Sequence, residues 1–168
     1  KKFDKKFKYL NSEKKLILLT GHRRENFGKN IRSVFSALKE LSSNHNVEIL
    51  FPAHPNPELQ KEIKLSLKNI KNFYITPPSS YPEFIYLMKK CNLIISDSGG
   101  IQEEAPSLGK KVLVTRNLTE RAEGIKNGHI EIVGADHEKI VRRSISILYD
   151  NKMHIKSKNP YGDGTASK

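Results

Sequence analysis

The chain has 168 residues, and its 30 Lys and Arg against 18 Asp and Glu give a formal net charge of +12 at neutral pH. The hydrophobic fraction of 36% suffices for the core of one domain and excludes an intrinsically disordered chain. The apolar runs are far shorter than the ~20 residues that cross a bilayer, and the single Cys91 excludes a disulfide framework and a multi-cysteine zinc site.

In chain order, short apolar segments alternate with segments of helical spacing. LILLT at 16–20 predicts a buried strand, and apolar residues at helical spacing from Lys29 predict a helix. A second strand follows at 47–51, after which Asn56 and Pro57 predict the start of a helix. After a strand at 73–76, Ser80-Tyr81-Pro82-Glu83 matches a capping box that opens the next helix.

The second half repeats this alternation. Its predicted elements are a strand at 93–96, a helix from about Gly100 to Gly109, a strand at 112–115, a short helix ending near Gly128, a strand at 130–133, and a long helix carrying Ile140 to Leu148. Six nearly all-apolar strands alternating with helices are typical of a parallel sheet covered on both faces. The expected fold is therefore α/β, a Rossmann-like doubly wound sheet with strand order 3-2-1-4-5-6.

Outside this predicted domain, 15–150, the chain gives weaker patterns. Residues 1–14 are predicted as a linker or frayed entry and 151–168 as a C-terminal tail. The Lys-rich N-terminus is not followed by an apolar region, so no secretory signal is expected and a reducing cytoplasm is the expected compartment. The remaining lysines are scattered and form no stripe with aromatic residues, so neither nucleic acid nor a membrane is an expected partner.

The loops that follow the predicted strands concentrate the chemically active residues. They are GHRRENFG (21–28), PAHPNP (52–57), PPSS (77–80), DSGG (97–100) and TRNLTER (115–121). The loops that precede the strands are ordinary turn material. Because open α/β sheets bind ligands at the carboxyl ends of their strands, next to the point where strand order reverses, the sequence predicts a ligand site at this edge.

DSGG opens a predicted helix and is a candidate phosphate site. Gly99 and Gly100 leave backbone N–H groups and the helix dipole open to an anion, and Ser98 adds a hydroxyl donor. The alternative is a glycine-rich tight turn. Asp97 can be an N-terminal cap instead of a ligand group. Of Glu103 and Glu104, one is expected to face solvent and the other to accept hydrogen bonds from a sugar diol.

GHRREN places one imidazole beside two guanidinium groups. His22 can act as an acid, a base or a donor to a phosphate oxygen, and arginine suits phosphate. The alternative is a structural salt network with Glu25. His54 fits a turn as well as a site, and Arg121 adds a cation at the same edge. Paired histidine ligands, HExxH and CxxC are absent from the sequence, so no metal is expected, and Ser98 lacks the G-x-S-x-G elbow of a serine hydrolase.

GHRREN, HPNP, DSGGIQEEAPSLGK, VLVTRNLTERAE and NPYGDGTAS, in this order, resemble the bacterial, non-hydrolysing UDP-N-acetylglucosamine 2-epimerases. The resemblance runs from about Leu16 to Ser167. It implies two Rossmann-like domains in the glycosyltransferase-B arrangement, of which this chain is the C-terminal one. The family's N-terminal domain, which carries the catalytic carboxylates, and its final helix are expected to lie outside this sequence. The chain alone is therefore expected to be inactive.

The resemblance implies interconversion of UDP-GlcNAc and UDP-ManNAc by elimination and re-addition of UDP, without a metal or nicotinamide cofactor, in a homodimeric enzyme. It assigns His22 to catalysis near the diphosphate and Arg23 and His54 to a second, activating UDP-GlcNAc. The implied substrate contacts are Phe84 beside uracil, Ser98, Gly99 and Gly100 around the diphosphate, Glu104 on the ribose, and Arg121 on the diphosphate. Ala122 and Pro55 depart from the family, which has Pro and often Leu there.

Three other functions compete with this interpretation. A hydrolysing sister enzyme would release free ManNAc, and the His54 match favours the non-hydrolysing type. A glycosyltransferase shares the architecture and the ribose-binding Glu. A nucleotide-binding module without turnover is the non-enzymatic alternative, and it is the expected behaviour of the isolated chain.

Overall fold

The computed structural model describes residues 2–21, 28–150 and 161. His22 and Arg23 lie outside these described residues. The elements in chain order are α1 (Lys2–Lys6), β1 (Lys15–Thr20), α2 (Lys29–Asn44), β2 (Val47–Pro52), α3 (Pro57–Ser66), β3 (Phe73–Thr76), α4 (Tyr81–Lys90), β4 (Leu93–Ser96), α5 (Gly99–Ser107), β5 (Val112–Val114), α6 (Ala122–Lys126), β6 (Ile130–Ile132) and α7 (His137–Tyr149).

The six strands form one parallel sheet in the order β3-β2-β1-β4-β5-β6, which confirms the predicted topology. At its centre, Leu18 of β1 aligns with Leu50 of β2 and Ile94 of β4. Successive residues of β1 serve opposite faces: Ile17 belongs to the core under α2 and α7, whereas Leu18 belongs to the core under α4 and α5. Both faces are thus buried, as the near-continuous apolar strands require.

Local signals set several helix ends as predicted. The Asn56 side chain accepts hydrogen bonds from the N–H groups of Glu58 at 2.9 Å and Leu59 at 3.3 Å, with Pro57 in the first turn of α3. Gly109 follows α5 with φ +64°, the left-handed conformation that glycine adopts without steric cost. Among the described helices, none is long and apolar enough to cross a membrane.

The capping box predicted for α4 is wrong. Ser80 is the N-cap residue, but its side chain accepts no capping hydrogen bond from the described residues. Glu83, which was expected to reach back to Ser80, is only 5% exposed and forms an ion pair with Lys6 of α1. A tertiary partner therefore replaces the local one.

The expectation that residues 1–14 are a linker is also at odds with the structure. Phe7 is 2% exposed and stacks on Tyr86 of α4 with ring centroids 6.0 Å apart. The Tyr86 hydroxyl donates to Asp4 at 2.7 Å, and burial, assisted by this bond, raises the pKa of Tyr86 to about 12. The N–H of Asn11 donates to the buried Glu48 at 2.8 Å. These contacts make the segment part of the domain.

Acid is expected to weaken the contact between α2 and α3. Arg32 donates to both carboxylate oxygens of Glu62, at 2.6 and 2.8 Å, and these hydrogen bonds hold the pKa of Glu62 below its usual range. A lowered carboxylate pKa gives stability that is complete above the unfolded-state value, about 4.3, and is lost as pH falls through the folded-state value. Glu62→Gln should therefore lower Tm by roughly 2–4 °C at pH 7 and by much less at pH 3.

Thermal melts of both proteins between pH 7 and pH 3 check this expectation, with Glu58→Gln on the exposed side of α3 as the control. A Tm difference that stays constant over this pH range would show that the ion pair is not the cause.

A side chain at Gly124 is expected to displace the Ile130 side chain at a cost in stability. A Cβ built there would overlap the side chain of Ile130 and lie 2.8 Å from the Tyr161 hydroxyl, which accepts from the Gly124 N–H at 3.2 Å. Overpacking of this kind costs about 1–3 kcal/mol, so Gly124→Ala should lower the free energy of unfolding by that amount in urea titrations. Lys126→Ala, on the exposed face of α6, is the matched control. Equal effects of the two variants would contradict the packing argument.

Candidate ligand site at the carboxyl edge

A cavity of about 210 Å³ lies at the carboxyl ends of the central strands. Its lining includes Thr20, Gly21, His54, Phe84, Ser98 and Ile101. Other depressions, of about 420, 550 and 250 Å³, lie against β6, between α2 and α7, and along the segment before β1. The first two contain the ion pairs Arg143–Glu131 and His137–Glu40. The 210 Å³ cavity lies at the edge where open α/β sheets bind ligands, so it is the better candidate.

Hydroxyl groups connect the central strands to the start of α5. The Thr20 and Ser96 hydroxyls are 2.7 Å apart, and the N–H of Ser98 donates to the Ser96 hydroxyl at 3.0 Å. Ser96 is fully buried at the end of β4. The bonds fix the position of the first turn of α5 relative to β1 and β4.

The first turn of α5 is open to a ligand. Ser98 is the N-cap residue, and within the described part of the chain its hydroxyl caps no N–H of the helix. A Cβ built on Gly99 would have as its nearest described neighbour an Arg121 terminal nitrogen at 3.7 Å, and one on Gly100 the Ser98 hydroxyl at 3.9 Å. Both are ordinary contact distances, so packing does not demand glycine at either position. Because Gly99 and Gly100 have no side chains, an anionic ligand can approach the backbone N–H groups of this turn.

Ser98, one residue after Asp97, occupies the N-cap position of α5. The Asp97 side chain is 1% exposed, and its carboxylate lies 3.5 Å from the position of a Cβ on Gly21. Asp97 therefore packs against Gly21, which follows β1.

Arg121 lies over the same helix start. Its Nε lies 2.5 Å from Oε1 of Glu103 of α5 in an ion pair, and the Arg121 side chain is 30% exposed. Glu103 is itself exposed, whereas Glu104 is half-buried. Since Glu104 follows Ile101 by three residues, the two share a helix face, and Ile101 lines the cavity. Glu104 is thus the better placed of the two acids to reach a ligand in the cavity.

His54 follows β2 and is exposed at the cavity. Its Nδ1 accepts from the N–H of Asn56 at 3.2 Å, which in the neutral ring assigns the proton to Nε2. The Gln60 amide donates to the His54 carbonyl at 2.9 Å. The residue predicted for a separate activator site therefore lines the same cavity as Phe84 and Ser98.

The structure thus gathers Phe84, Ser98 and His54 around one cavity and places Gly99, Gly100, Arg121 and Glu104 on or against α5 beside it. Gly21, which immediately precedes His22 in the sequence, lines the cavity. Sequence reasoning missed Gln102 and Thr119. Their side chains connect α5 to the loop that carries Arg121. The described residues contain no cluster of three or more His, Cys, Asp or Glu side chains suited to a metal.

A parallel sheet in this strand order, with a glycine-initiated helix at the crevice, defines a Rossmann-like doubly wound domain. The sequence model of the family described as UDP-N-acetylglucosamine 2-epimerase matches residues 1–168. The chain belongs to this family. It is 49% identical over 161 residues to the UDP-N-acetylglucosamine 2-epimerase of Campylobacter jejuni, with 94% of this chain and 42% of that protein covered. The Escherichia coli K12 enzyme of the same name is 41% identical, with 95% and 44% covered.

Solved structures agree with the fold. The UDP-GlcNAc 2-epimerase of Neisseria meningitidis bound to UDP-GlcNAc superposes with a TM-score of 0.90 at 37% identity, over 96% of this chain and 44% of that one. The Methanocaldococcus jannaschii enzyme in complex with UDP-GlcNAc and UDP gives 0.83 at 32% identity, over 98% and 45%. A glycotransferase aligns at only 8% identity with a TM-score of 0.62, over 83% and 36%, which reflects a shared fold alone. The chain spans less than half the length of these relatives.

Proposed function

We propose that this chain is the UDP-binding domain of an enzyme that interconverts UDP-GlcNAc and UDP-ManNAc by eliminating and re-adding UDP. The observation that carries the proposal is the juxtaposition of Arg121 with the open, glycine-initiated first turn of α5. Family membership and relatives named for this activity support it. Because the chain spans about 42–44% of those relatives, the activity is proposed for the whole protein.

In this proposal the diphosphate lies on the N–H groups at Gly99 and Gly100 and on the Ser98 hydroxyl, with Arg121 on its other side. Charge-assisted hydrogen bonds of these kinds are the strong ones. Phe84, which lines the cavity, packs against uracil, and Glu104 accepts from the ribose hydroxyls. When the bond between C1 and the phosphate oxygen breaks, negative charge grows on the leaving UDP, and donors already in place stabilise it.

The remaining parts of the proposal concern the whole protein. Arg23 and His54 contact a second, activating UDP-GlcNAc. The exposed His54 imidazole at the cavity supports the assignment of His54 to this role. A further domain supplies the catalytic carboxylates and closes the cleft. The whole protein is a cytoplasmic homodimer and makes precursors of cell-surface polysaccharides. The cytoplasmic location is inferred from the sequence composition, and the other assignments follow from the family resemblance.

Titration of the chain with UDP, uridine and inorganic diphosphate tests the proposed binding. With only one wall of the cleft, UDP should bind with a Kd near millimolar, roughly −4 to −6 kcal/mol, and more tightly than either part. Absence of saturable UDP binding at ten millimolar, or equal binding of UDP and inorganic diphosphate, would overturn the proposal.

Glu104→Gln is expected to weaken UDP binding more than Glu103→Gln. The Glu104 carboxylate accepts from both ribose hydroxyls, and an amide replaces one acceptor by a donor, so a loss of about tenfold is expected. A glutamine at 103 still offers an oxygen to Arg121, and removing a negative charge beside an anionic ligand does not weaken its binding. Kd values from the same titrations compare the two variants. A larger loss at Glu103 would show that the wrong acid has been assigned to the ribose.

A further inference from the structure

A buried side-chain amide ties the loop that carries Arg121 to the start of α5. Gln102 lies on α5 and is fully buried. Its Nε2 donates to the Ser98 carbonyl at 3.2 Å, and its Oε1 accepts from the Thr119 hydroxyl at 2.5 Å. The Thr119 oxygen in turn accepts from the N–H of Arg121 at 3.2 Å. A continuous series of hydrogen bonds therefore runs from Ser98 to the backbone of Arg121.

The bond that crosses from α5 to the other loop is the one to Thr119. The Gln102 amide nitrogen donates to the Ser98 carbonyl, which as the N-cap carbonyl also accepts the first backbone hydrogen bond of α5. The Gln102 amide oxygen accepts from the half-buried Thr119 hydroxyl. An apolar side chain at 102 would leave that hydroxyl without this acceptor, which is costly away from water.

Two of the contacts that hold Arg121 come from α5, and the Tyr161 hydroxyl also donates to the Arg121 carbonyl at 3.5 Å. The Arg121 backbone is fixed through Thr119 and Gln102, and its Nε is bound by Glu103. A terminal guanidinium nitrogen lies 3.7 Å from the position of a Cβ on Gly99. Arg121 and the first turn of α5 are therefore held as one rigid unit.

We propose that Gln102 is a positioning residue that sets Arg121 against the first turn of α5, so that both sides of the cradle fit a diphosphate. The proposal rests on the proposed function, in which this cradle binds the diphosphate of UDP. The proposal predicts that loss of Gln102 weakens binding of the diphosphate and not of uridine. The series of hydrogen bonds contacts only the diphosphate side of the site.

A double-mutant cycle on the 168-residue chain tests the positioning role. Gln102→Met, which keeps the side-chain length without the amide, should weaken UDP binding threefold to tenfold and change uridine binding by less than twofold. In the Arg121→Ala background, which itself loses UDP affinity, the added effect of Gln102→Met should fall below twofold. Equal losses with and without Arg121, or equal losses for UDP and uridine, would overturn the proposal and leave Gln102 as a packing residue.

Thr119 supplies an independent check if Gln102→Met impairs folding. Thr119→Val removes the hydroxyl at nearly constant volume and should reproduce the loss specific to UDP, whereas Thr119→Ser retains the hydroxyl and should restore binding. Failure of serine to restore binding would overturn the positioning role. If the unmodified chain does not bind UDP, or if Arg121→Ala leaves UDP binding unchanged, the proposed function of the cradle fails and the inference falls with it.

Discussion

Replacing His22 with alanine in a complete enzyme that carries this domain is expected to lower turnover by about a hundredfold or more, the usual cost of losing one preorganised donor. UDP binding should weaken much less. The reason is that negative charge on the phosphate oxygen grows only as the bond to C1 breaks. A donor at that oxygen therefore stabilises the transition state more than the bound substrate, and only such differential contacts accelerate chemistry. Gly21, next to His22 in sequence, lines the cavity beside Ser98.

The competing explanation is that His22 only shapes its loop through a hydrogen bond to Glu25 or to a backbone carbonyl. Turnover, UDP Kd and Tm of the variant separate the two explanations, with Arg23→Ala measured alongside. A loss of UDP affinity as large as the loss of turnover would reject the catalytic role.

Gly100→Ala is expected to make the chain slightly more stable and a poorer ligand binder. The new methyl group would meet its nearest described neighbour at the ordinary distance of 3.9 Å, and replacing glycine where the backbone permits it stabilises by about 0.4–1 kcal/mol through the unfolded chain. The same methyl group stands where the diphosphate is proposed to approach the N–H groups. We expect UDP affinity to fall at least tenfold.

Gly109→Ala, at the other end of α5, is the matched control and should behave in the opposite way. Its φ of +64° strains any other residue, so stability should fall by about 1 kcal/mol while UDP affinity stays unchanged. Urea titrations and UDP titrations of both variants measure the two effects. Loss of stability in Gly100→Ala together with unchanged UDP binding would show that Gly100 serves the fold and not the ligand.

The strand order and the end of the sheet that carries the candidate site follow from short-range patterns. Continuous apolar strands such as 93–96 require burial on both faces, and parallel strands bring all their carboxyl ends to one edge. Asn56 and Gly109 act on backbone groups within a few residues, so their roles as helix signals could be predicted locally.

What sequence reasoning missed depends on partners far apart in the chain. Glu83 pairs with Lys6, and this long-range contact overrides the local capping box. Gln102 and Thr119 are 17 residues apart, and a glutamine on a predicted helix gives no local sign that it is buried between two loops. The burial of Phe7 could not be predicted from its lysine-rich surroundings in the sequence, because its stacking partner, Tyr86, lies far away in the chain, on α4.

The central claim is that the carboxyl edge of this sheet binds the diphosphate and uridine of UDP, and backbone chemical shifts of the ¹⁵N-labelled chain during a UDP titration test it most directly. The account predicts saturable shifts with a near-millimolar Kd, largest at Ser98, Gly99, Gly100 and Arg121 and extending to Phe84. Shifts confined to the depression against β6, around Lys111 and Arg143, would contradict the account, and so would the absence of saturable shifts at the carboxyl edge.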